Sequence, residues 1–228
     1  MATLTFHGHA TFTLETEGGA RIVIDPFFDD NPQCTIKRTE VGDVDFILCT
    51  HGHTDHFVDA IPLARETGAT LIATYEIVSF VGTKGIENAH PMHIGGGFDF
   101  PFGRVKMTPA LHGGQVHGDE TGQFTTNPAG LLITVDGRRL YHAGDTALTM
   151  DMQLLRGQVD VAVLPIGDNF TMGPEDAARA VEFIQPEVVI PVHYNTWPLI
   201  EQDPEHFRSL VGDRTRVEVM EPGGHLSL

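Results

Sequence analysis

Apolar positions alternate with polar ones, or gather in short β-branched runs, over residues 3–6, 11–15 and 21–24, with Gly18-Gly19 supplying a turn. Period-two patterning punctuated by glycine predicts an antiparallel meander at the start of the chain, ended by Asp25-Pro26. The pattern then changes. Residues 44–49 form an apolar run interrupted only by Asp45, as in a buried strand, and residues 57–65 carry the spacing of a helix. A strand over 70–74 and a helix over 76–82 continue this βαβα rhythm. The second half repeats it, which suggests an internal pseudo-repeat. Strands are expected at 105–111, 159–165 and 187–192, helices at 149–156 and 204–211, and a further helix starting at Pro174, with Glu175 and Asp176 complementing its dipole. Asp136-Gly137 predicts a hairpin between 130–135 and 138–142, and a second hairpin is expected over 216–228. Gly95-Gly96-Gly97 lacks both the following helix and the Lys-Ser/Thr ending of a phosphate loop, so it reads as a plain turn. The long polar stretch 113–128 is expected to cover a site.

Length and composition change this picture little. With 228 residues, 41% of them hydrophobic, the chain can bury a large core, and one α/β domain over 1–228 is expected. Charge excludes more. Fourteen basic against 31 acidic residues give a net −17, which argues against nucleic acid and against anionic membranes as partners. No apolar run approaches the roughly 20 residues needed to span a bilayer. Two cysteines, Cys34 and Cys49, are too few for a disulfide framework, and without a leader pattern the setting is expected to be cytoplasmic. A small-molecule substrate is expected, and a homo-oligomer is left open.

The chemistry concentrates in Cys49-Thr50-His51-Gly52-His53-Thr54-Asp55-His56, at the turn between the second predicted strand type and its helix. Alternation points His51 and His53 to one side, and the start of a helix brings Asp55 and His56 back toward a neighbouring point. Imidazole nitrogen and carboxylate oxygen suit zinc, nickel, iron or manganese, and two metal ions are the natural reading. Cys49 reads as a small packed residue. Two further histidines follow predicted strands, His112 and His193, and Asp145 follows the predicted hairpin. A carboxylate there either bridges two metals or caps the next helix. His142 is expected to be a buried, hydrogen-bonded strand residue, and Asp25 to buttress its turn through backbone hydrogen bonds. His9, beside the Gly8 turn, is read as a substrate-side or supporting residue, and Asn169 and Asn195 as substrate contacts on the same rim.

The series His51-x-His53-x-Asp55-His56, His112, Asp145, His193 resembles the ligand series of the metallo-β-lactamase superfamily. Gly8-His9, the run from Tyr141 to Thr146 and the run from Val192 to Thr196 are more narrowly similar to small bacterial metal-dependent hydrolases related to the ascorbate-6-phosphate lactonases. This resemblance implies a four-layer αββα sandwich. It also implies His51, His53 and His112 on one metal, Asp55, His56 and His193 on the other, Asp145 between them, and Asp55 orienting a metal-activated hydroxide. The reaction implied is hydrolysis of a small ester, lactone, amide or phosphodiester. The alternative is a metal-binding regulatory or interaction protein without turnover; a complete ligand set favours the enzyme.

Overall fold

The computed structural model describes residues 1–228. Its opening meander is β1 (Thr3–Phe6), β2 (Phe12–Glu15) and β3 (Arg21–Ile24), paired antiparallel as the alternation requires. β4 (Phe46–Leu48), β5 (Thr70–Thr74) and β6 (Ala89–Met92) then add in parallel. Parallel neighbours need crossovers: the loop 25–45 leads from β3 to β4, helices α1 (Thr54–Phe57) and α2 (Ala60–Thr67) from β4 to β5, and α3 (Tyr75–Thr83) from β5 to β6. The second sheet repeats the scheme. β7 (Gly97–Phe100), β8 (Gly103–Pro109), β9 (Ala129–Val135) and β10 (Arg138–His142) are antiparallel, and β11 (Val161–Pro165), β12 (Val188–Val192) and β13 (Arg216–Val217) are parallel. Helices α4 (Pro174–Ile184) and α5 (Pro204–Val211) cover it.

Three apolar clusters make the layers. The largest, with Leu4, Phe12, Ile24, Leu131, Val163 and Ile190, lies between the two sheets. A second joins the outer face of the first sheet to α2 and α3 through Leu63, Ile77 and Phe80, and a third joins the second sheet to α4 and α5 through Val181, Ile184 and Phe207. The result is the expected αββα sandwich. Each fully buried Leu, Ile or Phe side chain contributes roughly 1.5–3 kcal/mol relative to exposure, so the sandwich is set by strands apolar on both faces.

Several expectations need correcting. The helix expected at 57–65 is two pieces, because the Asp59 carboxylate between them accepts from the Phe28 and Asp29 amides (2.6 and 3.2 Å) and ties the chain to the loop after β3. Residues 149–156 form a 3-10 helix, Met150–Leu155, not an α-helix. The strand expected at 105–111 stops at Pro109. The terminal segment is no hairpin: β13 joins the second sheet, residues 218–224 cross over, and β14 (His225–Ser227) pairs with β1 in the first. β6 and β7 escaped the pattern because both are edge strands, one carrying Pro91 and the other starting at Gly97. The Asp136-Gly137 hairpin is as expected, with φ of 48° and 78° at the two turn residues.

The stretch 113–128 walls the site instead of covering it. Val116 is fully buried among the α2–α3 cluster, His117 N–H donates to Gly52 O at 2.7 Å, and Thr126 N–H donates to Gly114 O at 2.8 Å. Gly52 permits this approach, since a Cβ there would lie 2.9 Å from Val116 Cα.

Candidate metal centre

Each strand that ends at one edge of the sandwich delivers a polar side chain there. His51 and His53 follow β4, with His53 extended at the N-cap of α1 (φ −66°, ψ 155°), and Asp55 and His56 lie in that helix's single turn. Asp145 follows β10, and His193 follows β12. His112 lies three residues beyond β8, and Leu111 sets it by accepting from Ala147 N–H (3.0 Å) and donating to Thr146 Oγ1 (3.0 Å). The backbone is strained where the sheets meet the site: His9, Asp25 and His193 have φ of 58°, 47° and 55°. Non-glycine residues in this region cost about 1–3 kcal/mol each, which the surrounding hydrogen bonds must offset.

Two sets of donors converge. His51, His53, His112 and Asp145 present ligand atoms within 4.8 Å of one another, as do His9, Asp55, His56 and His193. Asp145 lies between the sets, with Oδ2 3.4 Å from His112 Nε2 and 3.0 Å from His193 Nε2, and Oδ1 3.2 Å from His56 Nε2. Thr149, not Asp145, holds the N-cap position of the 3-10 helix that follows. Despite the short distances, His51 Nε2, His56 Nε2, His193 Nε2 and Asp145 Oδ1 are buried without a hydrogen-bond partner. Lone pairs aimed at a shared point and away from one another are what a cation needs, and an unpaired buried polar atom costs about 1–3 kcal/mol otherwise. The donor set fits a metal.

Asp25 fixes which nitrogens are free. Its carboxylate accepts from Thr50 N–H (2.8 Å), from the Thr50 hydroxyl (2.7 Å) and from His56 Nδ1–H (2.8 Å). The Thr50 hydroxyl spends its one proton on Asp25, so at 3.0 Å it accepts from His51 Nδ1–H. Both imidazoles thereby commit Nδ1 to the scaffold and turn Nε2 to the centre, where it becomes a ligand atom once the ring is neutral. Asp25→Asn should therefore weaken metal binding about 10- to 100-fold with the fold retained, as titration against a chromophoric chelator will measure. Wild-type affinity in that variant would remove Asp25 from the ligand-orienting role. The sequence reading gave Asp25 only its backbone bond; an acid at a strand exit, as at Asp145, was the signal for the rest.

Charges reinforce the arrangement. Burial alone would raise the Asp145 carboxyl, but His193 and His56 hold it well below the usual carboxylate range. Burial would likewise strip the proton from His56, yet Asp145 and Asp55 hold it well above the ordinary imidazole value. His51, further from these carboxylates, is pushed well below that value by burial and by His56.

The cavity in front of the cluster has a volume of about 380 Å³. His53, Thr54, Asp55, His112, Asp145 and His193 line one part, and Phe27, Phe170 and Trp197 line the rest. The three expected substrate contacts are not among them. His9 is 1% exposed and sits behind Asp55, donating from Nε2 to Asp55 Oδ2 at 2.9 Å with Nδ1 on Thr196 Oγ1 at 2.7 Å. Asn195 turns away and accepts from Gln202 N–H at 2.8 Å, and Asn169 is exposed on a loop whose next residue, Phe170, enters the cavity instead. His142 is buried as expected, bonded to Ala10 O and Gly144 N–H.

Fold and cluster together define a hydrolase of the metallo-β-lactamase type. Residues 20–194 match the family model described as the beta-lactamase superfamily domain, and the chain belongs to that superfamily and, within it, to the UPF0173 metal-dependent hydrolases. It is 47% identical to a UPF0173 metal-dependent hydrolase of Heliobacterium modesticaldum, over 100% of this chain and 98% of that one. A relative of the same description from Anoxybacillus flavithermus is 49% identical, over 94% and 95%. Among solved structures, a metallo hydrolase from the archaeon Ignicoccus hospitalis superposes with a TM-score of 0.88 at 35% identity, covering 99% of this chain and 97% of that one.

Proposed function

We propose that the protein hydrolyses a small ester, lactone, amide or phosphodiester at a two-metal centre, with His51, His53 and His112 holding one divalent cation, Asp55, His56 and His193 the other, and Asp145 shared. The observation that carries this reading is the convergence of partnerless buried imidazole nitrogens on both sides of Asp145. Zinc, manganese, nickel and iron all suit this nitrogen-oxygen donor set. When bound, such cations lower the pKa of water toward neutrality and polarise the substrate oxygen.

The chain's own groups do the rest. Asp55 borders the cavity with its Oδ2 held by His9 Nε2–H. Burial would raise its carboxyl, but His56, His193 and His9 outweigh this and keep it ionised well below the usual range. So strong an acid accepts a hydrogen bond from attacking water and orients it without taking its proton outright. The unpaired thiols Cys34 and Cys49 support the cytoplasmic setting, and no helix is long and apolar enough to cross a membrane.

The test is turnover of 4-nitrophenyl ester, lactone and phosphodiester panels by metal-loaded protein. Activity should vanish with chelator and return on remetallation. Metal bound in stoichiometric amount with no turnover on any panel would instead favour a regulatory or interaction role.

A further inference from the structure

The aromatic half of the cavity distinguishes among substrates that the metal cluster alone would accept. Phe27 and Trp197 stand together, ring centroids 6.2 Å apart, and both rest edge-on against the buried His9 ring, at 5.7 and 4.9 Å. His9 is anchored at both nitrogens, so this wall is fixed before any ligand arrives. Phe170 reaches the same cavity from a loop pinned by Asp168 N–H to Met172 O and Met172 N–H to Thr146 O, both 3.0 Å. Its backbone is held, yet Phe170 is 52% exposed and Trp197 37%. Two large rings left wet at the mouth of a catalytic cavity stand to gain from burying an apolar group.

Away from the proposed metal ions, the cavity offers no basic side chain to a second anionic group. None of the nine lining residues is Lys or Arg. Lys37 and Arg38, which follow Phe27 in the chain, are engaged elsewhere: Lys37 Nζ on Asp29 O, and Arg38 with Asp29, Asp59 and Glu66. The molecule as a whole carries net −17. A phosphorylated metabolite would enter against that field with no side-chain fork to receive its second anionic group.

Resting on the hydrolytic reading above, we infer that the substrate is a neutral carbonyl compound whose flat or bulky apolar substituent packs against Phe27, Trp197 and Phe170, and not a phosphorylated sugar lactone or other polyanion. The aromatic rings select the substituent, and the metal-binding face receives the carbonyl.

The experiment compares the 4-nitrophenyl esters of acetic, phenylacetic and phosphonoacetic acid, which share a leaving group and differ only in the acyl substituent. With metal-loaded protein, kcat/KM should rise about tenfold from acetyl to phenylacetyl and fall below acetyl for the phosphonoacetyl ester. Phe170→Ala, with metal content verified, should lower the phenylacetyl-to-acetyl ratio about tenfold, mainly through KM. Preference for the phosphonoacetyl ester, or an unchanged ratio in Phe170→Ala, overturns the inference. If no ester turns over, the hydrolytic reading fails for esters and binding still decides. Trp197 is the chain's sole tryptophan, so its emission should respond to the inert neutral probe phenylacetamide in wild type and much less in Phe170→Ala. No response in wild type also overturns it.

Discussion

Asp145→Ala is expected to lower hydrolysis by roughly 10³-fold or more and to leave less than one metal ion per chain, whereas His112→Ala and His193→Ala each keep about one. The asymmetry follows from position. Asp145 is 3% exposed, and its two oxygens face His112 and His193 on one side and His56 on the other. Each histidine belongs to one donor set, so its loss weakens one set. Asp145 supplies negative charge to both, and without it two like-charged cations would repel across a buried gap of low effective dielectric. Gly144, in the left-handed region at φ 62°, lies so close to Thr50 that a Cβ there would come within 2.8 Å of the Thr50 Cβ, so the turn that carries Asp145 is set by packing as well as by any ligand. The alanine variant should accordingly stay folded. Metal per chain on purified variants settles the point: a full complement in Asp145→Ala would mean the two sets do not share it.

The cluster of candidate metal ligands was legible because its residues sit at strand exits, where apolar run and polar punctuation meet. His51, Asp145 and His193 each end a run that pattern alone identifies. The substrate side was not legible for the same reason reversed. Asn169 and Asn195 occupy loops after strands just as the ligands do, but loop geometry decides which residue turns inward, and at both places an aromatic neighbour does: Phe170 in one loop and Trp197 in the other. Nothing in a one-dimensional pattern distinguishes a solvated Phe from one that lines a cavity. His9 was hidden differently. Its partners, Asp55 and Thr196, are 46 and 187 residues away, so its supporting role exists only once both sheets have assembled. Asp59 breaking the expected helix is a case of tertiary override, in which two loop amides outbid one more helical turn.

Chelated protein is expected to melt below metal-loaded protein, with the gap widening from about pH 6 to about pH 9. Without metal, burial would lower the His193 pKa, but the Asp145 carboxylate 3.0 Å away raises it from 6.5 to about 9. A folded value above the unfolded one gives stability fully present below pH 6.5 and lost as pH rises toward 9. At about 1.4 kcal/mol per pH unit, that loss is on the order of 3 kcal/mol. His7 and His9 act in the opposite sense: burial, joined for His9 by the His193 charge, lowers both to about 4, so their contribution is present above 6.5 and lost as pH falls toward 4. The metal-free protein should therefore be most stable near neutrality and weaken on either side. On the proposed ligand set, metal would replace the proton at His193 and His56, and because protons compete for the same lone pairs, its stabilisation would grow as pH rises, where the metal-free cluster is left with uncompensated carboxylates. Melting curves with and without chelator across this range test the whole ligand set at once. Coincident curves at the alkaline end would show that no metal binds where Asp145 and the histidines converge.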